Sequence, residues 1–237
     1  MGLVLDAAAS QALCALRERR RIGLLPATQN CINNQYYFQN ISVRKLGIMA
    51  TLFNERKTAQ AAAYLLHRAG GRLPLIKLMK LLYLAERASL QHFGEPLTGD
   101  SLVSMPHGPV LSRTYDQMKG SVAATEGGWD TWVADKSDNF LALKDPSMIR
   151  DPLIDLLALS DSDVESLSTV WDEFGHWDKW DLVKYTHDHC AEWQDPDGSS
   201  LPISYAAVFS ALGYAEAESL ALANRLNEQK QLEAAFS

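Results

Sequence analysis

The chain has 237 residues, of which 47% are hydrophobic and 22% are charged, and its formal net charge is -7. This length allows one or two domains with a substantial core, and the composition is that of a globular chain. The acidic balance argues against a general nucleic-acid binder, because phosphate binding needs clustered Lys and Arg. No run of about 18 apolar residues is present, so we expect no membrane span.

The three cysteines, Cys14, Cys31 and Cys190, are widely spaced and odd in number. They form neither a disulfide framework nor a CxxC metal pair, although a pairing of Cys14 with Cys31 stays open. A reducing cytoplasm is therefore the expected location.

The first 48 residues differ from the rest of the chain in charge. They carry six basic and two acidic residues, a net charge of +4, which leaves -11 on the remaining 189 residues. Their basic run, RERRR, follows the apolar stretch, whereas a secretory signal places it before. We predict that residues 1–48 are a poorly structured or spurious extension that can be deleted. The alternative is a short amphipathic helix over residues 5–20 that docks on the body.

Helix signals follow this extension. Asn54 can cap a first helix that ends at the pair Gly70-Gly71. Pro74 is predicted at the first position of a second helix, which runs to Phe93 and is stopped by the glycine that follows. Apolar residues cover nearly the whole circumference of this second helix, which predicts that it is buried on several sides.

The polar residues of the second helix fall on one side. Lys77, Lys80, Arg87 and Gln91 are separated by 3, 7 and 4 positions. We expect this stripe to face solvent, where its long stems cover apolar surface. The alternative is that Lys77, Lys80 and Arg87 bind a protein partner together with Tyr83 and Tyr115, because Arg and Tyr are residue types that anchor interfaces.

A loop rich in proline and glycine, GEPLTGDSLVSMPHGPV, comes next. Pro109 is placed to start the following helix, PVLSRTYDQMK, and Gly108 to let the chain turn tightly after His107. We predict a brace that fixes the angle between two helices. A larger side chain at Gly108 should destabilise it if the backbone there has a positive φ. His107 as a general base is the alternative, but no recognisable nucleophile motif accompanies it.

The rest of the chain also reads as mostly helical. The runs Thr131–Ala134 and Asn139–Leu143 flank DKSD and predict a β-hairpin over about residues 131–143. Ser162–Glu165 has the form of a capping box, and Asp178 or its neighbour starts a further helix.

The predicted fold class is therefore mostly α, a compact helical domain with one small β-hairpin. We predict this domain over residues 49–213, followed by a C-terminal helix or tail over residues 214–237.

The run HDHC, residues 187–190, has the composition of a metal site. His187 and Cys190 could share a helix face with His176 nearby in sequence, but a closed zinc site needs further ligands. The alternative is structural, with Thr186 and His187 at a helix end, hydrogen-bonded to a loop. We predict no metal, no cofactor and no catalytic residue.

Carboxylates gather around tryptophans just before this run. The residues are Asp172, Glu173, Asp178 and Asp181 with Trp171, Trp177 and Trp180. Either they form an acidic and aromatic patch for a basic partner, or they cap a junction between two helices.

Four parts in this order resemble the Panacea domain of the SocA-like antitoxins, a family that includes phage-associated GepA-type proteins. They are LPLIKLMKLLYLAERASLQHFGEPLTGD, HGPV followed by YDQM, THDHCAEW, and ISYAAVF. The resemblance covers roughly residues 54–212. The motif residues are His107, Gly108, Pro109, Thr186, His187 and Trp193.

The resemblance implies a cytoplasmic, mostly α-helical antitoxin of a type II toxin-antitoxin system, which is not an enzyme. It implies a partner toxin, encoded by an adjacent gene and neutralised by direct contact; in one branch the antitoxin delivers the toxin to a ClpXP-type protease. No segment resembles the DNA-binding domain of some members, so no nucleic-acid binding is expected. The alternatives are a phage accessory protein that binds a host factor, and a hydrolase or metal enzyme that uses His107, His187 and carboxylates.

Overall fold

A computed structural model describes residues 53–236 of the chain. The predicted extension over residues 1–48 lies outside them. The helices are α1 Glu55–Arg68, α2 Leu75–Phe93, α3 Ser112–Met118, α4 Trp129–Trp132, α5 Pro152–Asp155, α6 Asp161–Phe174, α7 Lys179–His189, α8 Tyr205–Ala211 and α9 Glu216–Phe236. The strands are β1 Arg72–Pro74, β2 Leu102–Met105, β3 Gly108–Leu111, β4 Phe140–Ala142 and β5 Leu201–Ile203, and a 3₁₀ turn covers Pro146–Met148. The mostly α fold class is confirmed.

Helix α2 is the central helix. Leu78 and Leu82 are fully buried, and α1, α6 and α7 pack against it. Its predicted end is confirmed, because Gly94 adopts the left-handed conformation that stops a helix. Pro74 lies one position earlier than predicted, at the end of β1 and immediately before α2. The cap that Asn54 gives to α1 is also confirmed.

The segment that reads as a loop contains a β-hairpin instead. Strands β2 and β3 pair antiparallel with Met105 opposite Gly108, and β5 adds to the other side of β2. The prediction that Pro109 starts a helix is wrong, since it lies in β3 and α3 begins at Ser112. Strand β3 is an edge strand of the sheet, where a proline is tolerated.

The segment predicted as a hairpin over residues 131–143 pairs with itself and also with an earlier strand. Strand β4 pairs with β1, and Leu73 lies opposite Leu141. The first predicted strand is half helical, because α4 extends to Trp132. Two isolated antiparallel bridges, Val133 to Leu143 and Ser137 to Phe140, join the two sides of the turn. Some β structure is therefore confirmed in this segment. The main partner of β4, however, is β1, which lies much earlier in the chain.

The capping box lies two residues before the predicted one. The Ser160 hydroxyl accepts a hydrogen bond from Asp163 N, and the Asp163 carboxylate accepts one from Ser160 N. Helix α6 therefore begins at Asp161. Asp178 caps α7 as predicted, accepting from Trp180 N at 2.8 Å. Between residues 53 and 236, no helix combines the length and the apolar character that crossing a membrane requires.

Candidate functional site

The central residues of the polar stripe of α2 face the interior of the domain, whereas Gln91 at its end is exposed. Lys80 and Tyr83 are each 1% exposed, and Lys77 and Arg87 are half-buried. The expectation that this stripe faces solvent is therefore wrong for its central residues. Whether any of them binds a partner stays a prediction, and the contacts that they make instead lie within the domain.

Lys77 holds the end of α6. Its Nζ donates to the carbonyl oxygens of Gly175 at 2.8 Å and Trp177 at 2.7 Å. Carbonyls at the end of a helix lack partners within the helix, so the lysine satisfies groups that burial would otherwise leave unpaired. Burial lowers the pKa of Lys77, while the nearby carboxylate of Asp178 acts in the opposite direction.

Lys80 holds the turn of the β2–β3 hairpin. Its Nζ donates to the carbonyl oxygen of Pro109 at 2.7 Å, and burial lowers its pKa to about 7. Gly108 has a φ of 92°, a conformation that favours glycine. A Cβ at this position would lie 2.7 Å from Thr186 Oγ1, 2.9 Å from Lys80 Nζ and 3.3 Å from His187 Cδ2. Glycine alone fits this contact between α2, the hairpin and α7.

Tyr83 and Arg87 share one buried carboxylate. The Tyr83 hydroxyl donates to Glu192 Oε1 at 2.9 Å, and Arg87 Nε donates to the same oxygen at 3.0 Å. The side chain of Glu192 is fully buried. Burial, reinforced by the charge of Glu192, raises the pKa of Tyr83. The pair ties α2 to the turn that follows α7.

The remaining motif residues join the same junction. The rings of His187 and Trp193 stack with 4.0 Å between their centroids and 7° between their planes. Trp193 Nε1 donates to the carbonyl oxygen of Met105 at 3.0 Å. Thr186 Oγ1 donates to Val183 O within its own helix, so the predicted hydrogen bond from Thr186 to a loop is wrong. These contacts join the C-terminal end of α7 to the β2–β3 hairpin. We call this junction of α2, the hairpin and α7 the brace; the predicted brace instead joined α2 to a helix starting at Pro109, which lies in β3.

The histidines and the cysteine do not assemble into a metal centre. Within residues 53–236, no group of three or more His, Cys, Asp or Glu side chains is placed to hold a metal ion. Cys190 is buried, and burial raises the pKa of its thiol to about 12. His107 is exposed in the hairpin turn, and its ring meets the Trp180 ring edge-on at 5.8 Å. Tyr115 lies on α3, with Lys119 Nζ 4.4 Å from its ring centroid.

Sequence reasoning missed two buried carboxylates near α2. Glu86 is fully buried, and its Oε2 accepts from the backbone N–H and the hydroxyl of Thr98. Burial raises the pKa of Glu86 to about 7. Asp100 accepts from the backbone N–H and the hydroxyl of Thr114 and so fixes the start of α3. A single Glu within an apolar helix does not indicate, from sequence alone, that its carboxylate is buried and hydrogen-bonded to a loop.

An open groove lies along α7 beside its junction with α6. Its volume is about 520 Å³, and its lining residues are His176, Trp177, Asp178, Asp181, Lys184, Tyr185, Asp188 and His189. The rings of Trp177 and Tyr185 meet at 85° with 5.6 Å between centroids. We call these eight residues the α7 groove.

The α7 groove contains part of the acidic and aromatic cluster seen in the sequence. Asp178 is used to cap α7, and Asp172 forms an ion pair with Arg68 at 2.8 Å. Asp181 is exposed and has neither an ion pair nor a side-chain hydrogen bond within the described part of the chain. Trp180, next to it in sequence, is 54% exposed. Asp178 therefore caps the junction, as one alternative has it, and whether the exposed residues form a patch for a basic partner stays a prediction.

Residues 78–194 match the family model described as antitoxin SocA-like, Panacea domain. The matched stretch contains Lys80, Gly108, Thr186, His187 and Trp193, the residues that meet at the brace. Over these residues the chain is similar to the SocA-like, Panacea family, and the resemblance seen in the sequence is confirmed over them. Comparisons with curated proteins and with solved structures gave no match.

Proposed function

We propose that this protein is a cytoplasmic antitoxin that neutralises a partner toxin by direct protein–protein binding. The observation that carries the proposal is the match of residues 78–194 to the SocA-like antitoxin domain. The family resemblance adds that the toxin is encoded by an adjacent gene and that the antitoxin has no enzymatic activity of its own.

The α7 groove is the surface that we propose for contact with the toxin. Its aromatic walls offer the kind of side chain that anchors protein interfaces. The exposed and unpaired Asp181 favours a partner with a basic surface, since complementary charge gives both orientation and faster association. This surface takes the place of the α2 stripe, because Lys80 and Tyr83 are buried.

The test is co-expression of the full chain with the product of the adjacent reading frame. We expect that product to arrest growth when expressed alone and this protein to restore growth. Arrest that persists at a confirmed level of folded antitoxin would contradict the proposal.

Delivery of the toxin to a ClpXP-type protease is a finer form of the same proposal. It predicts that the toxin has a shorter half-life in cells that contain both this protein and the protease. An unchanged toxin half-life in cells whose growth is restored would favour sequestration alone.

A further inference from the structure

Four large apolar side chains are exposed in the short segment between β4 and α6. Met148 is 39% exposed, Leu153 70%, Ile154 66% and Leu157 84%. We call these four residues the α5 patch. Single exposed leucines are ordinary on protein surfaces, but a contiguous exposed group marks an interaction site.

The α5 patch is held in place by its own segment. Asp155 Oδ2 accepts from the backbone N–H groups of Arg150 and Asp151, at 2.8 and 2.9 Å. Asp151 in turn caps α5. Ile149 and Leu156, next to the exposed residues, are 3% and 2% exposed and anchor the segment to the core. The apolar side chains are therefore presented by an anchored turn of helix.

An acidic helix face runs from the α5 patch to the α7 groove. Asp161, Glu165, Thr169 and Glu173 are exposed and four residues apart, so they lie on one side of α6. The three carboxylates of this face form no ion pair within residues 53–236. The face starts four residues after Leu157, and at its other end the charge of Glu173 acts on Tyr185 in the α7 groove. A helix of 14 residues is about 21 Å long.

The α7 groove alone is too small to form a stable protein–protein interface. A specific complex buries about 800 Å² on each partner, contributed by about 20–30 residues. The groove has eight lining residues. A surface of that area is about 30 Å across, which is enough to extend along α6 and include the α5 patch.

The charge of the α6 face decides which kind of partner fits. A symmetric dimer places the same surface of two copies against each other. The unpaired carboxylates of Asp161, Glu165 and Glu173 from both copies would then lie in one interface, where contacts between like charges are unfavourable. A different protein with an apolar anchor and a basic surface meets no such repulsion.

We infer that the α5 patch is the hydrophobic anchor of the interface with a basic toxin, and that the acidic face of α6 links this anchor to the α7 groove. The inference rests on the proposed function and adds to it a second contact region and the charge of the partner.

The experiment compares Leu157→Asp with Leu220→Asp. Leu220 lies on α9 and is 49% exposed, so it is a matched exposed leucine outside the α5 patch. Both variants are checked by circular dichroism and thermal unfolding, and binding to the purified product of the adjacent reading frame is measured by calorimetry. We expect Leu157→Asp to weaken binding by about tenfold or more, as for an anchor residue, and Leu220→Asp to bind like the wild type. Binding of the wild type should also weaken as salt is added.

The outcomes separate the inference from the proposed function. If the wild type binds the toxin and Leu157→Asp binds equally well, the α5 patch is not an anchor, although the proposed function stands. If light scattering shows a wild-type dimer that Leu157→Asp disrupts while toxin binding is unchanged, a second copy covers the patch and the inference is wrong. If the wild type does not bind the toxin, both fail.

A second measurement covers the case in which Leu157→Asp does not fold. Hydrogen exchange of the wild type is then compared with and without the toxin. Slower exchange over residues 153–157 in the complex supports the anchor, and unchanged exchange there overturns it.

Discussion

Lys80 Nζ donates a 2.7 Å hydrogen bond to the carbonyl oxygen of Pro109, and this bond joins the central helix to the turn of the β2–β3 hairpin. The lysine is 1% exposed. The basic residue at the centre of the α2 stripe is therefore part of the internal brace of the domain. Lys80→Glu is consequently expected to unfold the domain, because it would place a carboxylate against a carbonyl oxygen in a buried site.

Gly108→Ala is expected to cost more stability than the same change at Gly198. Both glycines have positive φ, 92° and 80°, so both variants bear strain of roughly 1–2 kcal/mol. A Cβ on Gly108 would lie 2.7 Å from Thr186 Oγ1, whereas nothing lies within 4 Å of a Cβ on Gly198. Urea denaturation should give Gly108→Ala a further loss of about 1–3 kcal/mol. Equal losses in the two variants would show that the contact is not tight.

The end points of several elements are predictable from the sequence because their signals are local. Asn54 and Asp178 cap the helices that follow them, and Gly94 ends α2. The hairpin is not predictable in the same way. Proline and glycine at its turn read as a loop, and the tolerance of Pro109 depends on β3 being an edge strand.

The sequence could not predict that the central residues of the α2 stripe face inward, for a different reason. A stripe of Lys and Arg on a helix usually faces water, and the partners that draw it inward lie far along the chain. They are the carbonyl groups of Pro109 and Gly175 and the carboxylate of Glu192. Only the tertiary fold brings these acceptors to α2.

Lys80 should make the stability depend on pH. Burial lowers its pKa from 10.5 to about 7, so between these values the unfolded state binds more protons. The free energy of unfolding therefore rises with pH above 7, by at most about 1.4 kcal/mol per unit. Lys80→Met should lose this rise. The two proteins should be compared between pH 7 and 8.5. At higher pH the raised pKa of Cys190 makes the free energy of unfolding fall with pH, which would mask the effect of Lys80. Equal slopes for the two proteins would show that Lys80 stays charged.

Glu86 should make the free energy of unfolding depend on pH in the opposite direction, and at lower pH. Burial raises its pKa from 4.5 to about 7, so the folded state binds more protons in this window. The free energy of unfolding then falls as pH rises from about 4.5 to 7. Glu86→Gln should remove this fall, and the difference between the two proteins at pH 5, 6 and 7 isolates Glu86 from other titrating groups. A constant difference across this range would contradict the prediction.

The α7 groove predicts a charge-dependent effect on toxin binding. Asp181→Lys should weaken binding to a basic toxin by about tenfold or more at low salt, with the difference shrinking as salt is added. Glu228→Lys changes the net charge equally at an exposed position on α9 and should leave binding nearly unchanged. Calorimetry in two salt concentrations measures both. The same loss in both variants would indicate an effect of net charge and not of the groove.

Direct binding to the toxin is the central claim, and titration calorimetry of the full chain against an inactive form of the adjacent gene's product tests it most directly. We predict saturable binding with a Kd below about 1 μM, which corresponds to more than about 8 kcal/mol of binding free energy. The complex should also elute as one species in size-exclusion chromatography. No measurable heat and separate elution, with an active form of the same product that arrests growth, would contradict the account.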